Sequence, residues 1–326
     1  MTEMMTVLLG VLAVFAAIIA GLVLFSLWTA WRVEKALPPR GKFLQLTGAR
    51  IHYLERGSGQ AIVMVHGLGG QSGNFAYGLV DELARKYRVI VLDRPGAGYS
   101  TRENDNSARL RTQAAIVAGF IRKLGLDRPL VVGHSLGGAI ALAVALDSPD
   151  AVGSLALLAP LTHVPKQVPA PFRPLDIPSK WVRWVVSWTL GVPIGIRQGP
   201  AIVKMIFAPE AVPKDFATRG GGLLSLRPRN FYNVSTDLVA ADADLPGMIE
   251  QYPTIRVPVA ILYGTSDEVL DYREHGEAMK AKIANLRLKF VEGGHMLPVT
   301  QPELAAEFIR ESAQVIWAPP HGTTEA

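Results

Sequence analysis

The first 36 positions are patterned unlike the rest of the chain. From Val7 to Trp31 no residue is charged, and only Ser26 and Thr29 carry hydroxyls. As a helix these 25 residues span about 37 Å, enough for a tilted crossing of a ~30 Å hydrocarbon core. Trp28 and Trp31 close the run and Arg32 and Lys35 follow, like an aromatic belt with snorkelling cations. A cleaved signal peptide fits less well. The residues before the run hold no Lys or Arg, the run is longer than a signal core of about 7–15 residues, and no small-x-small site closes it. A core helix of a soluble domain is seldom apolar all round. Residues 1–36 are therefore expected to form a retained single-pass anchor, spanning at 7–31. Arg32, Lys35, Arg40, Lys42 and Arg50 follow the span and no cation precedes it. By the positive-inside rule the bulk of the chain then lies in the cytoplasm.

Beyond the linker at 38–41 the pattern changes to short apolar runs. Segments 43–47 and 51–55 flank Gly48 as a hairpin. Segments 61–65, 88–92, 130–132, 154–158, 259–263 and 287–291 are rich in Val, Ile and Leu. Helical periodicity fills 74–86, 109–124, 136–147, 273–283 and 302–317. A hairpin followed by strand–helix alternation predicts an α/β fold, its sheet mostly parallel and covered by helices on both faces. The alternation fails between Pro160 and Pro258, where prolines cluster around a Gly220-Gly221-Gly222 run. This stretch is expected to be an inserted helical cap over 161–250. The core is then 37–160 with 251–318, and 319–326 is a loose tail.

Composition narrows the chemistry. The chain has 326 residues, 49% hydrophobic and 19% charged, enough for a sizeable core. The excess of 33 Lys+Arg over 28 Asp+Glu is diffuse, which argues against nucleic acid as a partner. Cysteine is absent, so thiolate metal sites, iron–sulfur clusters and a cysteine nucleophile are excluded. His66 has no companion at metal-ligand spacing. No metal and no cofactor is expected.

Gly133-His134-Ser135-Leu136-Gly137 matches G-x-S-x-G. An apolar strand precedes it and an apolar helix follows, the setting in which a sharp elbow lifts the serine hydroxyl off the sheet end. A hydroxyl nucleophile needs a base, and the base needs an orienter. Asp267 follows one late strand and His295 the next. Strand C-termini share one edge of a parallel sheet, so Ser135, Asp267 and His295 can meet there. Glu268 and Asp271 stand close enough in sequence to replace Asp267.

With Val65-His66-Gly67-Leu68-Gly69-Gly70 and Asp93-Arg94-Pro95-Gly96-Ala97-Gly98-Tyr99-Ser100, these motifs make the chain resemble the α/β-hydrolase superfamily over about residues 43–316, loosely in the cap. The resemblance implies that Ser135 attacks a carbonyl, His295 takes its proton and Asp267 holds the imidazole. It implies an oxyanion hole from the backbone N–H groups of Leu68 and Leu136, a structural His66 and a loop-stabilising Asp93. Anchor and cap together are similar to single-span monoacylglycerol-lipase types. Ser at the elbow sets the chain apart from the Asp-nucleophile epoxide hydrolases and dehalogenases. The implied activity is hydrolysis of carboxylic esters of apolar acyl substrates, small-molecule or lipid, at a bilayer. Carbon–carbon bond hydrolysis of aromatic ring-fission products and a non-catalytic binding role are the alternatives.

One cap segment stands out. Residues 179–190 place Lys180, Arg183 and Ser187 on one helical stripe and Trp181, Trp184, Val185 and Trp188 on the other. Ser179 reads as the N-cap and Gly191 as the stop. Residues 161–235 hold ten Lys or Arg against three Asp or Glu. A tryptophan stripe in a basic cap suits an anionic bilayer surface. The same tryptophans could instead roof the pocket.

Overall fold

Nine strands build one sheet: β1 (Lys42–Leu46), β2 (Ala49–Arg56), β3 (Ala61–Val65), β4 (Arg88–Leu92), β5 (Thr101–Arg102), β6 (Leu130–His134), β7 (Ser154–Leu158), β8 (Val259–Gly264) and β9 (Arg287–Val291). The computed structural model describes residues 2–317, so the tail expected at 319–326 lies outside the described residues. The strand order is β1-β2-β4-β3-β6-β7-β8-β9, with the two-residue β5 paired to β2. β1 and β2 form the expected hairpin, β2 runs antiparallel to β4, and every pair from β4 to β9 is parallel.

The continuous apolar runs follow from burial on both faces. Val63, Val65, Val131, Leu155 and Leu157 point into one core, with helices Leu110–Lys123 and Leu136–Asp147. Ile62, Met64, Leu130, Val132 and Leu158 point into the other, with Leu79–Ala84 and Pro302–Trp317. Alternate residues feed opposite faces, so neither face tolerates a polar side chain. Two expected helices are broken. The segment 74–86 becomes a 3₁₀ turn at Ser72–Phe75 and a short helix at Leu79–Ala84, because Gly78 between them adopts φ 98°. The segment 273–283 becomes single turns at Tyr272–His275 and Glu277–Ala281.

The cap leaves the sheet after β7 and returns before β8. It contains helices Lys180–Trp188, Gly191–Phe207 and Pro228–Ala241. Ser179 caps the first of these, accepting from Val182 N. Gly191 does not simply stop it but opens the second helix. Helix Leu245–Gln251, placed by the sequence mostly with the cap, buries Leu245 and Met248 in the same cluster as the sheet residues.

The N-terminal helix runs from Thr2 to Ala36 and is long and apolar enough to cross a membrane. Its last turns are not free. Ser26, Thr29 and Val33 are buried, where the helix meets the cap helices. Ser26 Oγ donates to Thr189 O at 3.5 Å. Glu34 pairs with the buried Arg227 at 3.1 Å, and the Tyr99 hydroxyl donates to Leu37 O.

Candidate active site

Ser135 sits between β6 and helix Leu136–Asp147 with φ 54° and ψ −123°. A non-glycine residue there is strained, at a cost on the order of 1–3 kcal/mol. The surroundings hold it. Ser135 N donates to Leu158 O at 3.1 Å, and Ser135 O accepts from Gly138 N at 2.8 Å and Leu161 N at 3.0 Å. The turn also needs a bare backbone at Gly137, where a Cβ would lie 2.2 Å from Val65 O.

His295 and Asp267 arrive from the loops after β9 and β8, as the parallel topology requires. His295 Nδ1 bonds Asp267 Oδ2 at 2.7 Å, with both side chains almost wholly buried. Asp267 Oδ1 accepts from Val269 N at 2.8 Å and Leu270 N at 2.9 Å. The carboxylate is thus fixed and keeps the imidazole proton on Nδ1, leaving Nε2 with its lone pair. Glu268 and Asp271 take no part, and Asp271 caps the turn that follows. Ser135 and His295 line one cavity. Among the described residues no hydrogen bond joins the serine hydroxyl to the ring, and such bonds often tighten only around substrate.

The loop at 66–70 is built around one peptide. Arg94 N donates to His66 Nε2 at 2.9 Å, so the His66 proton must sit on Nδ1, which donates to Gly67 O at 2.8 Å. Burial, then the neighbouring Arg94 charge, push His66 down to about 3 and keep it neutral. Both ring nitrogens are occupied, so His66 is structural. Gly67 O also accepts from Gly70 N at 3.2 Å and Arg94 Nη2 at 3.1 Å. A peptide is planar and trans, so three donors on the Gly67 carbonyl aim the Leu68 N–H the opposite way. Leu68 and Leu136 both border the cavity at Ser135.

Arg94 brings in a partner that the sequence does not reveal. Its Nη1 bonds Asp237 Oδ2 of the cap and Gln113 Oε1, each at 2.8 Å. Asp237 also pairs with Arg102. Asp93 stabilises its loop as expected. It accepts from Ser72 N at 2.7 Å and Tyr99 N at 2.8 Å, and pairs with His52 at 2.8 Å. Burial alone would raise the Asp93 carboxyl, but these donors, His52 first, hold it below its ordinary range. Two further residues escape sequence reasoning. His134 Nε2 donates to His295 O at 3.0 Å, and Glu210 of the cap accepts from Gly294 N at 2.8 Å. Both grip the loop that carries His295.

Two lobes meet at Ser135, Leu68 and Phe172. The larger, about 210 Å³, reaches under the cap past Ile202, Val203, Ile206 and Phe231. The smaller, about 160 Å³, is lined by Leu161, Val168, Leu238 and Val269, with Asp176 and Asp242 among its polar groups. Burial, then Asp176, raise the Asp242 carboxyl. No Lys or Arg lines either lobe among the described residues.

The family model of the alpha/beta hydrolase fold matches residues 60–302. The chain is an α/β hydrolase. Over 233 residues this hydrolase is 41% identical to a 2-hydroxy-6-oxononadienedioate/2-hydroxy-6-oxononatrienedioate hydrolase of Paraburkholderia phymatum, covering 68% of this chain and 76% of that one. Over 121 residues it is 37% identical to the dihydrolipoyllysine-residue acetyltransferase component of the acetoin cleaving system of Cupriavidus necator. That match spans 37% of the hydrolase and only 32% of the relative. Among solved structures, a membrane phospholipase A superposes with a TM-score of 0.63 at 23% identity, covering 98% of this chain and 100% of that one. At that identity the likeness is one of fold.

Proposed function

We propose that the protein is a membrane-anchored serine hydrolase that cleaves carboxylic esters of apolar acyl substrates, without a cofactor. The observation that carries this reading is the wall of the two lobes: mostly apolar, without Lys or Arg among the described residues, and joined at Ser135. In the first step Ser135 Oγ bonds to the ester carbonyl carbon while its proton passes to His295 Nε2. Negative charge collects on the carbonyl oxygen, facing the N–H groups of Leu68 and Leu136. His295 then protonates the departing alkoxide and the C–O bond breaks, leaving an acyl-serine. Water, deprotonated by His295, releases the acid and restores the serine. Asp267 stays ionised throughout and stabilises the imidazolium.

Carbon–carbon hydrolysis is the second reading, favoured by the 41% identity to a hydrolase of dienedioates. A dienedioate carries two carboxylates. Burying them without Lys or Arg, and beside Asp176 and Asp242, costs several kcal/mol per charge. A neutral ester meets no such penalty. The anchor reading is supported by the packing of Ser26, Thr29 and Val33, since a cleaved signal would leave that cap surface bare. The positive-inside rule applied to the span flanks supports a cytoplasmic catalytic domain.

The test is a substrate series on the detergent-solubilised full chain, with fluorophosphonate labelling. Labelling at Ser135 is expected, with kcat/KM rising up to about fourfold per acyl methylene, as ~0.8 kcal/mol each implies. Faster turnover of a dienedioate than of any ester would replace this reading by the second. A folded chain that neither labels nor turns over would make the protein a binding module.

A further inference from the structure

The cap helix Lys180–Trp188 is inside out. Its polar stripe faces the protein: Arg183 is 3% exposed and Ser187 0%, whereas Trp181 is 80% and Trp184 53% exposed. A surface helix in water shows the reverse pattern. The inversion is built in. Arg183 Nη2 donates to Ile177 O and Nη1 to Thr236 Oγ1, each at 2.8 Å, and Ser187 Oγ donates to Trp184 O. With Arg183 and Ser187 consumed inside the cap, the helix shows Trp181, Val182, Trp184 and Val185 outside, with Lys180 at its start. The next helix, Gly191–Phe207, adds Ile194 and Ile196 to the exposed apolar face. Neither helix contains Asp or Glu, while Lys180, Arg197 and Lys204 are exposed on them.

The N-terminal helix fixes where this face stands. Ser26 touches Thr189, just past the end of the inverted helix. Ser26 lies five residues inside the uncharged run that ends at Trp31, about 7.5 Å along the helix axis. An interfacial helix buries its apolar face to about that depth, 5–10 Å. Residues 7–25 are the part of the run before that contact, exposed except for the half-buried Leu22 and Val23, about 28 Å long and matched to a ~30 Å core. The apolar face and the span therefore reach the same level.

Helix Gly191–Phe207 also connects this face to the site. Ile202, Val203 and Ile206 line the larger lobe, and Ile194 both lines it and is exposed. We propose that the outer face of these two cap helices sits in the bilayer interface, cations toward anionic headgroups, and that the larger lobe opens to lipid beside Ile194. The second half rests on the ester-hydrolase reading. The seating itself does not.

The absence of cysteine makes the test clean. Trp181→Cys, Val185→Cys and Ile196→Cys, each carrying a nitroxide, would be placed in the full chain, one copy per nanodisc containing anionic lipid. Asp150→Cys, on an exposed turn of the core, is the control. Collision with oxygen should be favoured at the three cap sites, and collision with a water-soluble nickel chelate should fall at least fivefold below the control. Cap labels that match the control overturn the proposal. So does protection that appears only when two copies share a disc, which would make the face a contact between copies. Separately, Trp184→Glu with Val185→Glu should cut turnover of bilayer-embedded long-chain esters at least tenfold and leave a soluble butyrate ester within twofold. Equal losses on both esters overturn the opening of the lobe to lipid. Depth readings and ester turnover are independent, so failure of the seating and failure of the ester reading are told apart.

Discussion

Asp237→Asn tests whether the cap holds the loop that carries the proposed oxyanion donor Leu68. Asp237, Arg94 and Arg102 are almost wholly buried, with side-chain exposures of 3%, 1% and 4%. One carboxylate thus pairs with two guanidinium groups. Removing a partner from a buried pair costs about 3–5 kcal/mol. Asparagine keeps one acceptor oxygen, so the lower figure, about 3 kcal/mol, applies. For a chain of this size that lowers the unfolding midpoint by roughly 4–5 °C. A second effect is catalytic. Arg94 places Nη2 on Gly67 O at 3.1 Å and thereby aims the Leu68 N–H. Loss of a whole oxyanion donor costs about 10²–10³ in kcat. His66 and Gly70 still hold the carbonyl, so a partial loss of about tenfold in kcat is expected, with KM little changed.

The control is Arg102→Gln. Arg102 bonds Asp237 and Asn233 O but has no bond to Gly67. It should lower the midpoint without lowering kcat. The assay pairs thermal unfolding in detergent with steady-state kinetics on a short soluble ester, at a temperature where each variant is folded. If folded Asp237→Asn keeps kcat within twofold of the parent, or if Arg102→Gln loses as much, the link from cap to oxyanion loop is refuted.

Three other outcomes follow from the same geometry. Ser135→Ala should fold normally and lose at least about 10⁴ in kcat, since removing such a nucleophile costs up to about a millionfold in a comparable enzyme; activity within tenfold would sink the assignment. Stability should fall as pH drops from about 6.5 toward 4. Burial first, then Arg94 for His66, His295 for His134 and His163 for His275, push these rings down to about 3, 3 and 4. The unfolded chain therefore binds protons that the folded one refuses, at up to about 1.4 kcal/mol per pH unit per ring. His52, raised by Asp93 against its own burial, works in the opposite sense, so its share is lost as pH rises. A midpoint unchanged between pH 7 and pH 5 would show that the buried rings protonate in the folded state. Deleting residues 1–24 should leave the midpoint unchanged, whereas deleting 1–36 should lower it. The longer cut removes Ser26, Thr29 and Val33 from the cap and leaves buried Arg227 without Glu34. Equal midpoints for the two truncations would mean that this contact contributes nothing.

The parts legible in the sequence are those whose cause is local. Ala61–Val65 reads as a strand because both of its faces are buried, so all five positions are apolar. Gly133–Gly137 reads as an elbow because the close approach of Val65 O excludes a side chain at Gly137. Asp267 and His295 are legible because parallel strands deliver their C-terminal loops to one edge. The Arg94–Asp237 pair is not, because its partners lie 143 residues apart and no spacing rule connects them. Glu210 and Gly294 are likewise joined only by the folded cap.

The cap helix shows where periodicity stops. The repeat of Lys180, Arg183 and Ser187 defines two stripes, but an amphipathic pattern carries no sign. Which stripe turns inward depends on what waits for the polar groups. Here Ile177 O and Thr236 Oγ1 take up the Arg183 guanidinium, and Thr236 belongs to a helix more than forty residues later. Burying a cation with no carboxylate bonded to it is costly in water, and leaving two tryptophans outside costs again. The two costs fall on opposite faces of the same helix, beside its contact with the N-terminal helix. In the proposed seating a bilayer interface covers the tryptophans and so relieves the second. On the proposed seating, the inverted helix gains against lipid what it lacks against water.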